Sequence, residues 1–219
     1  MRGEGKRALD LFCCAGGASM GLYRAGFDVV GVDIKPQPRY PFTFVQADAL
    51  NPPFNLSDFD FIWASPPCQD YSALKGLSAH KRGKMIPAVR EMLEASGKPY
   101  AIENVVGSEL KEPIRLCGSS FGLGIWRHRL FETSPQILFS PPCNHSLCPK
   151  PIDVTGLGGP LHGQRKKAGG GISRKPNNLE HAREVMGIDW MSRPELSQSI
   201  PPAYSEFIAR HFLNQEQSQ

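Results

Sequence analysis

Phe59-Asp60-Phe61-Ile62-Trp63-Ala64-Ser65-Pro66-Pro67-Cys68-Gln69-Asp70-Tyr71-Ser72 is the stretch on which the reading of this chain turns. Phe59 to Trp63 is a short apolar run entered from a polar turn, the pattern of a buried strand. Pro66 and Pro67 end it, because proline has no amide proton to give to a sheet ladder. Cys68 then stands in a loop at the carboxyl end of a strand. In an open α/β sheet that edge is where ligands bind and chemistry occurs. An isolated cysteine is more often a small buried apolar residue. The two prolines and the preceding strand argue for another role here.

Outward from that stretch, strands and helices alternate. Residues 7–12 read as a first buried strand, and Cys13-Cys14-Ala15-Gly16-Gly17 as a tight glycine turn. Ala18 to Ala25 has the apolar spacing of a helix, with Gly26 as its C-cap. Phe27 to Val32 predicts a second strand ending on Asp33, and Phe42 to Ala47 a third ending on Asp48. Gly83 to Ser96 holds a helix with Pro87 near its start. Pro99 to Ile102 predicts a fifth strand ending on Glu103-Asn104. The alternation predicts an α/β fold with a doubly wound, mostly parallel sheet. Its strand ends carry a glycine turn, Asp33, Asp48, Cys68 and Glu103, and such groups line one crevice. Each carboxylate alone reads more readily as a turn or N-cap residue; the set in register does not.

Composition sets bounds on partners and compartment. The 219 residues suffice for one substantial domain. A net charge of +4 permits a nucleic-acid partner without requiring one. Glycine (22) and proline (20) cluster between apolar runs, which predicts a compact core with long functional loops. Six cysteines in a chain this long do not form a disulfide scaffold, and Cys13 and Cys14 are adjacent. The expected setting is therefore reducing and cytoplasmic, with no signal peptide, no membrane span and no membrane partner.

The glycine turn is neither a dinucleotide fingerprint nor a P-loop, since Gly16-Gly17-Ala18-Ser19-Met20-Gly21 fits neither pattern. Asp33, 16 residues after Gly17, stands where an acid can accept hydrogen bonds from ribose hydroxyls. A nucleoside-containing cofactor other than NAD or ATP is expected, with S-adenosylmethionine the leading candidate.

Four motifs in order carry a resemblance: Asp10-Leu11-Phe12-Cys13-Cys14-Ala15-Gly16-Gly17, Ser65 to Ser72, Glu103-Asn104-Val105 and Arg127-His128-Arg129, with Ile200-Pro201-Pro202-Ala203-Tyr204 near the end. Together they resemble the cytosine-5 DNA methyltransferase family, closest to its short, phage-type or solo members, over residues 7–132 and about 177–212. The resemblance implies that Cys68 adds to carbon 6 of cytosine. It implies that Glu103 contacts the ring nitrogen N3 and the exocyclic amine, for which its carboxyl must be protonated in a dry pocket. Arg129 would hold the O2 carbonyl and Arg127 would support the covalent loop. On the cofactor side, Phe12 would stack near the adenine and Gly16 and Gly17 would lie against the methionine portion. Asp33 would bind the ribose and Asp48 the adenine amino group. Asn104, grouped with these, would help position the active-site loop.

The implied substrate is double-stranded DNA, from which the base must be flipped out. Lys75, His80, Lys81, Arg82 and Lys84 follow the nucleophile and suit a loop that closes on the DNA backbone. Residues 1–132 are expected to form the catalytic core, 133–177 a small basic recognition region, and 178–219 C-terminal helices that complete the core. The recognition region is short. Lys150, Arg165, Lys166, Lys167, Arg174 and Lys175 face only Asp153, so it reads as a basic strap on phosphates with a short recognition motif. Cys143-x-His145-x-x-Cys148 could ligate zinc with Cys117 or His162. Its spacing is atypical of a zinc finger, so no metal is assigned and turn residues with free thiols are expected. Ile125 stands where many members have glutamine, and Ser197-Gln198-Ser199 replaces the usual Gly-Asn. Helices are expected at 178–187, anchoring the recognition region, and at 203–212, packed on the first helix. A monomer in a bacterial or phage-infected cell, protecting DNA from a restriction nuclease, is the expected context. A tRNA methyltransferase is one alternative, although the Cys-Phe-Thr signature of the RNA branch is absent. A catalytically silent DNA-binding module is the other.

Overall fold

Five strands are laid down side by side by the alternation read above. They are β1 (Arg7–Leu11), β2 (Asp28–Asp33), β3 (Thr43–Gln46), β4 (Phe61–Ala64) and β5 (Tyr100–Asn104). In the computed structural model, which describes residues 5–68, 85–155 and 173–216, all five run parallel. Two more complete the sheet, β6 (Ile114–Leu116) and β7 (Arg129–Ser134). Among the described residues the sheet has seven strands in the order β3-β2-β1-β4-β5-β7-β6. β7 runs antiparallel to both its neighbours, so the sheet is mixed on that side.

The last two strands were not anticipated. Each has a physical reason to escape a pattern search: β6 is three residues long, and β7 interleaves charged and apolar residues as Arg-Leu-Phe-Glu-Thr-Ser. Elsewhere the strand limits move by at most two residues from those expected. The helix expected from Gly83 is α2 (Met85–Ser96), with Pro87 in its first turn, where proline removes no helical hydrogen bond.

The residues of β1 alternate between two cores. Ala8 faces α1 (Gly17–Ala25) and α5 (Pro202–Glu216), with Trp63, Phe131, Tyr204 and Ile208 in the same cluster. Leu9 and Leu11 face α2, with Ile62, Val89, Leu93 and Ile102. Helices α1 and α5 approach closely because Gly21 has no side chain: a Cβ there would lie 2.1 Å from the Pro202 carbonyl oxygen. Ser205 Oγ donates to the Ala18 carbonyl at 2.8 Å across the same contact. The expected packing of the closing helix on the first helix is thus observed. A third cluster joins Ala15 and Ile125 to Ala182, Val185 and Met186 of α3 (Leu179–Met186) and to Leu196 of α4 (Arg193–Gln198).

One buried ion pair ties the α2 layer to β7. Arg90 Nε and one terminal nitrogen reach Glu132 at 2.6 and 2.7 Å, and the second carboxylate oxygen also accepts from the Lys111 amide. Removing one partner strands the other charge in the core. Glu132→Ala is therefore expected to cost about 3–5 kcal/mol of stability, read as a lower urea midpoint at unchanged m-value.

Candidate active site

The chain runs from β1 outward through β2 and β3, then returns to the other side of β1 as β4. The switch in direction opens a crevice between the carboxyl ends of β1 and β4. One lip is the turn from Phe12 to Gly16. Phe12 and Cys14 hold left-handed backbone conformations with φ of 61° and 46°, a strained arrangement for non-glycine residues. Hydrogen bonds from the neighbouring strand fix it: the Cys13 amide donates to the Val32 carbonyl at 3.1 Å, and the Cys14 amide to Asp33 Oδ2 at 3.0 Å. The other carboxylate oxygen of Asp33 accepts from the Lys35 amide.

The opposite lip carries Cys68. The Ser65 amide donates to the Leu11 carbonyl, extending the β1–β4 ladder by one step before the two prolines. Asn104, buried at the end of β5, donates its side-chain amide to the Pro66 carbonyl at 2.9 Å, while its Oδ1 accepts from the Val105 amide. Asn104 thus holds the loop that presents Cys68. Asn104→Ala leaves a buried carbonyl unpaired, at a cost of about 1–3 kcal/mol. If the site is catalytic as proposed below, methyl transfer falls through kcat while the affinity for cofactor changes little, as steady-state kinetics and cofactor titration would show.

Glu103 precedes Asn104 and lies at the bottom of the crevice. Arg129 Nε meets its Oε1 at 3.0 Å. The Ser65 hydroxyl bonds the carboxyl of Glu103 and accepts the Trp63 indole N–H at 2.9 Å. Neither Ser65 nor Trp63 was read as more than strand and turn; their polar atoms are aimed by the pairing of β4 with β5, which no local pattern reveals. Arg127 lies behind Arg129 with φ of 32°. One guanidinium nitrogen donates to the Ser197 carbonyl at 2.8 Å, and its buried Nε has no partner. The Tyr204 hydroxyl donates to the Arg127 carbonyl at 3.0 Å. The motif around Ile200 to Tyr204 therefore holds Arg127, a link its sequence alone did not disclose.

Burial dominates the electrostatics. It raises the carboxyl of Glu103 above its ordinary value, against the opposing pull of Arg129 and Arg127. It also raises the Cys68 thiol; Glu103 adds to that shift, and Arg129 and Arg127 oppose it. Desolvation lowers Arg127 to about 9, helped by Arg129. Cys14 is pushed up to about 12 by burial and by Asp33 and Asp10, and Cys13 is raised further by burial and the same carboxylates. Of these three cysteines, Cys68 is the one that two arginines draw toward the thiolate.

The cofactor-side residues fall on the other lip. Phe12 is half-buried against the α2-side core, and Asp33 is almost fully buried at the end of β2. Each Asp33 oxygen accepts one backbone N–H and keeps a lone pair for a further donor. Asp48 is exposed and caps a turn through the Leu50 amide. Gly17 does not face open space: a Cβ there would lie 1.9 Å from Ser199 Oγ and 2.7 Å from the Ile200 carbonyl oxygen. Gly16, with φ of 85°, lies under Tyr40 and Pro41. Close packing against the chain is thus one reason for a glycine at 17, beside the expected contact with a methionine portion. An aromatic ring and a carboxylate with free acceptor capacity, together at the switch point, suit a nucleoside.

The basic segment beyond β7 is described at its two ends. The Arg174 amide donates to the Pro151 carbonyl at 2.9 Å and the Asp153 amide to the Arg174 carbonyl at 2.8 Å, so the ends are clasped together. Lys150, Arg174 and Lys175 are exposed. Arg165, Lys166, Lys167 and His162, like Lys75, His80, Lys81, Arg82 and Lys84, lie outside the described residues. Cys148 is not grouped with Cys143 and His145 as a ligand; the thiol and imidazole groups that converge there are those of Cys117, His128, Cys143 and His145. Among the described residues no helix is long and apolar enough to cross a membrane.

Residues 6–111 match the family model described as C-5 cytosine-specific DNA methylase. Among curated protein sequences none matches the chain. Solved structures that share the fold include two methyltransferases. One is a Spodoptera frugiperda DNMT2 triple mutant, at 13% identity and a TM-score of 0.59 over 95% of this chain and 100% of that one. The other is the Schizosaccharomyces pombe Dnmt2 methyltransferase (S. pombe), at 13% identity and a TM-score of 0.55 over 93% and 97%.

Proposed function

We propose, from the match of residues 6–111 to the C-5 cytosine-specific DNA methylase model, that this chain is a member of that family and transfers a methyl group from S-adenosylmethionine to carbon 5 of cytosine in double-stranded DNA. S-adenosylmethionine is the methyl donor of that family. The observation that carries the reading is the convergence of Cys68 and Glu103, beyond and at the carboxyl ends of β4 and β5, with Arg129 at the amino end of the antiparallel β7, Arg129 lying on Glu103 at 3.0 Å. A module that only bound nucleic acid would have no use for a thiol placed between a buried carboxyl and two guanidinium groups.

The residues divide the work as follows. Carbon 5 of cytosine is a weak nucleophile. Cys68 in its thiolate form adds to carbon 6, and the ring electron pair becomes available at carbon 5. Glu103, protonated, donates to N3 as negative charge develops on the ring, and Arg129 donates to the O2 carbonyl. Arg127 holds its peptide against Ser197 and Tyr204, which keeps Arg129 aimed at the crevice. The bound cofactor supplies an electrophilic methyl group. Phe12 and Asp33 would hold its nucleoside, and Asp48 has a free carboxylate oxygen for a further donor. Loss of the carbon 5 proton and expulsion of Cys68 restore the aromatic ring.

Residues 133–177 serve as the recognition region under this reading, with the exposed Lys150, Arg174 and Lys175 on phosphates and a short target motif. The test is transfer from labelled S-adenosylmethionine to unmethylated duplex DNA, with tRNA alongside and nucleosides identified by mass spectrometry. 5-Methylcytosine in DNA supports the proposal. Label in tRNA alone moves the substrate to RNA, and cofactor binding without transfer to either overturns the enzymatic reading.

A further inference from the structure

We infer that Cys117, His128, Cys143 and His145 form a closed, tetrahedral zinc site that pins the arginine-bearing strand of the active site. The four side chains come from three places in the sequence, and the fold brings them together by identifiable steps. Leu116 of β6 pairs with Arg129 of β7 in antiparallel register, so Cys117 and His128 are the next cross-strand pair beyond the ladder. The chain then leaves β7 and returns over the turn at Gly118–Phe121. Ser120 Oγ donates to the Pro142 carbonyl at 2.9 Å, and the Asn144 amide donates to Ser119 Oγ at 3.1 Å. Those bonds set Cys143 and His145 over the pair below. In extended chain, residues two apart face the same way.

The ligand atoms fit a single ion. All four lie within 4.8 Å of one another. Cys117 Sγ is 3.4 Å from His145 Nε2, and Cys143 Sγ is 3.4 Å from His128 Nε2. With Zn–S near 2.3 Å and Zn–N near 2.0–2.1 Å, a tetrahedral site has an S···N edge of about 3.5 Å. Two of the six edges therefore already have the length that a shared metal imposes. Two thiols and two imidazoles facing one point have few good partners among themselves, because a thiol is a weak donor. A divalent ion satisfies all four.

The surroundings are those of a structural site rather than a catalytic one. Four protein ligands leave no open position, and two thiolates with two imidazoles in this geometry select zinc among the common divalent ions. Cys117 is fully buried and its Sγ lies 3.1 Å from Ser119 Oγ, a hydroxyl able to donate to a bound thiolate. The His145 ring stacks on Trp126 at 3.9 Å with an 11° tilt, and the Trp126 indole N–H donates to the Cys148 carbonyl at 2.9 Å. Cys148 thus closes the knot through its backbone and leaves its thiol out of it.

The consequence for the active site follows from sequence adjacency. His128 separates Arg127 from Arg129. An ion bound to His128 fixes the peptide on which both guanidinium groups depend, so these ligands are positioning residues for the arginines. Zinc binding itself does not depend on which nucleic acid is the substrate, or on methyl transfer at all.

The test uses the full-length chain purified under reducing conditions without chelator, with metal measured by plasma mass spectrometry. About one zinc per chain is expected. Cys143→Ser and His145→Asn are expected to lower it at least about tenfold, whereas Cys148→Ser retains it. Cobalt exchanged into the wild-type chain should give the visible ligand-field bands and near-ultraviolet sulfur charge transfer of a tetrahedral site. Should the variants fail to fold, wild-type stoichiometry and the cobalt spectrum decide the matter. A wild-type chain that stays metal-free after zinc titration, a Cys117–Cys143 disulfide in its place, or zinc lost only in Cys148→Ser would overturn the site.

Discussion

Cys68→Ala is expected to leave the chain folded and able to bind S-adenosylmethionine, yet to lower methyl transfer about 10⁴-fold or more. The thiol is half-buried and takes part in no core cluster, so its removal empties little packed volume. The loss falls on chemistry, because without covalent addition carbon 5 has no electron pair to offer. Cys14→Ala is the informative companion. Cys14 also lies at the crevice, but its thiol is pushed up to about 12 with no arginine to oppose the shift. Transfer should persist in that variant. Single-turnover rates with labelled cofactor distinguish the two variants, and a duplex carrying 5-fluorocytosine, whose fluorine cannot leave as a proton does, should trap a denaturant-stable adduct with the wild type and Cys14→Ala but not with Cys68→Ala. A Cys68→Ala enzyme that retains normal rates would remove the covalent mechanism.

The sheet edge was legible in the sequence because each parallel strand there is apolar along its length and stops at a polar residue or a proline. Asp33, Cys68 and Glu103 are visible for that reason before any coordinates. The β6–β7 edge was not, because a three-residue strand and a strand with four polar residues in six carry no period to detect. Missing that hairpin also hid His128 as a partner of Cys143 and His145 and left Cys117 as only one of two candidates. Cys117 and His128 are eleven residues apart and become neighbours only when Leu116 pairs with Arg129, so spacing alone pointed to Cys148 in place of His128. Gly17 marks another limit. A glycine in a motif suggests an approaching ligand, and the chain itself also approaches this one, at Ser199 and Ile200. Such a contact spans the length of the protein and leaves no local trace.

The pH dependence of Glu103 variants tests the rest of the mechanism. Burial raises both Glu103 and the Cys68 thiol, from ordinary values several units apart. The active form needs the carboxyl protonated and the thiol ionised, the reverse of the order in which the two groups titrate. Below the Glu103 pKa the rate should climb with pH, as thiolate accumulates while the carboxyl stays protonated. Between the two pKa values the gain in thiolate and the loss of protonated carboxyl cancel, and kcat/KM should be flat. Above the thiol pKa it should fall. The two groups interact, so the limbs report the pair rather than either residue. Glutamine keeps a neutral donor at that position and cannot ionise. In Glu103→Gln the compensation disappears, and kcat/KM should rise tenfold per pH unit through the neutral range until the thiol is ionised. Glu103→Ala, with no donor at all, should follow the same rising profile about 10²–10³-fold below Glu103→Gln. Cofactor affinity should change little in either variant, because Glu103 lies on the Cys68 side of the crevice. A flat profile that persists unchanged in Glu103→Gln would show that the proton needed at N3 comes from another group.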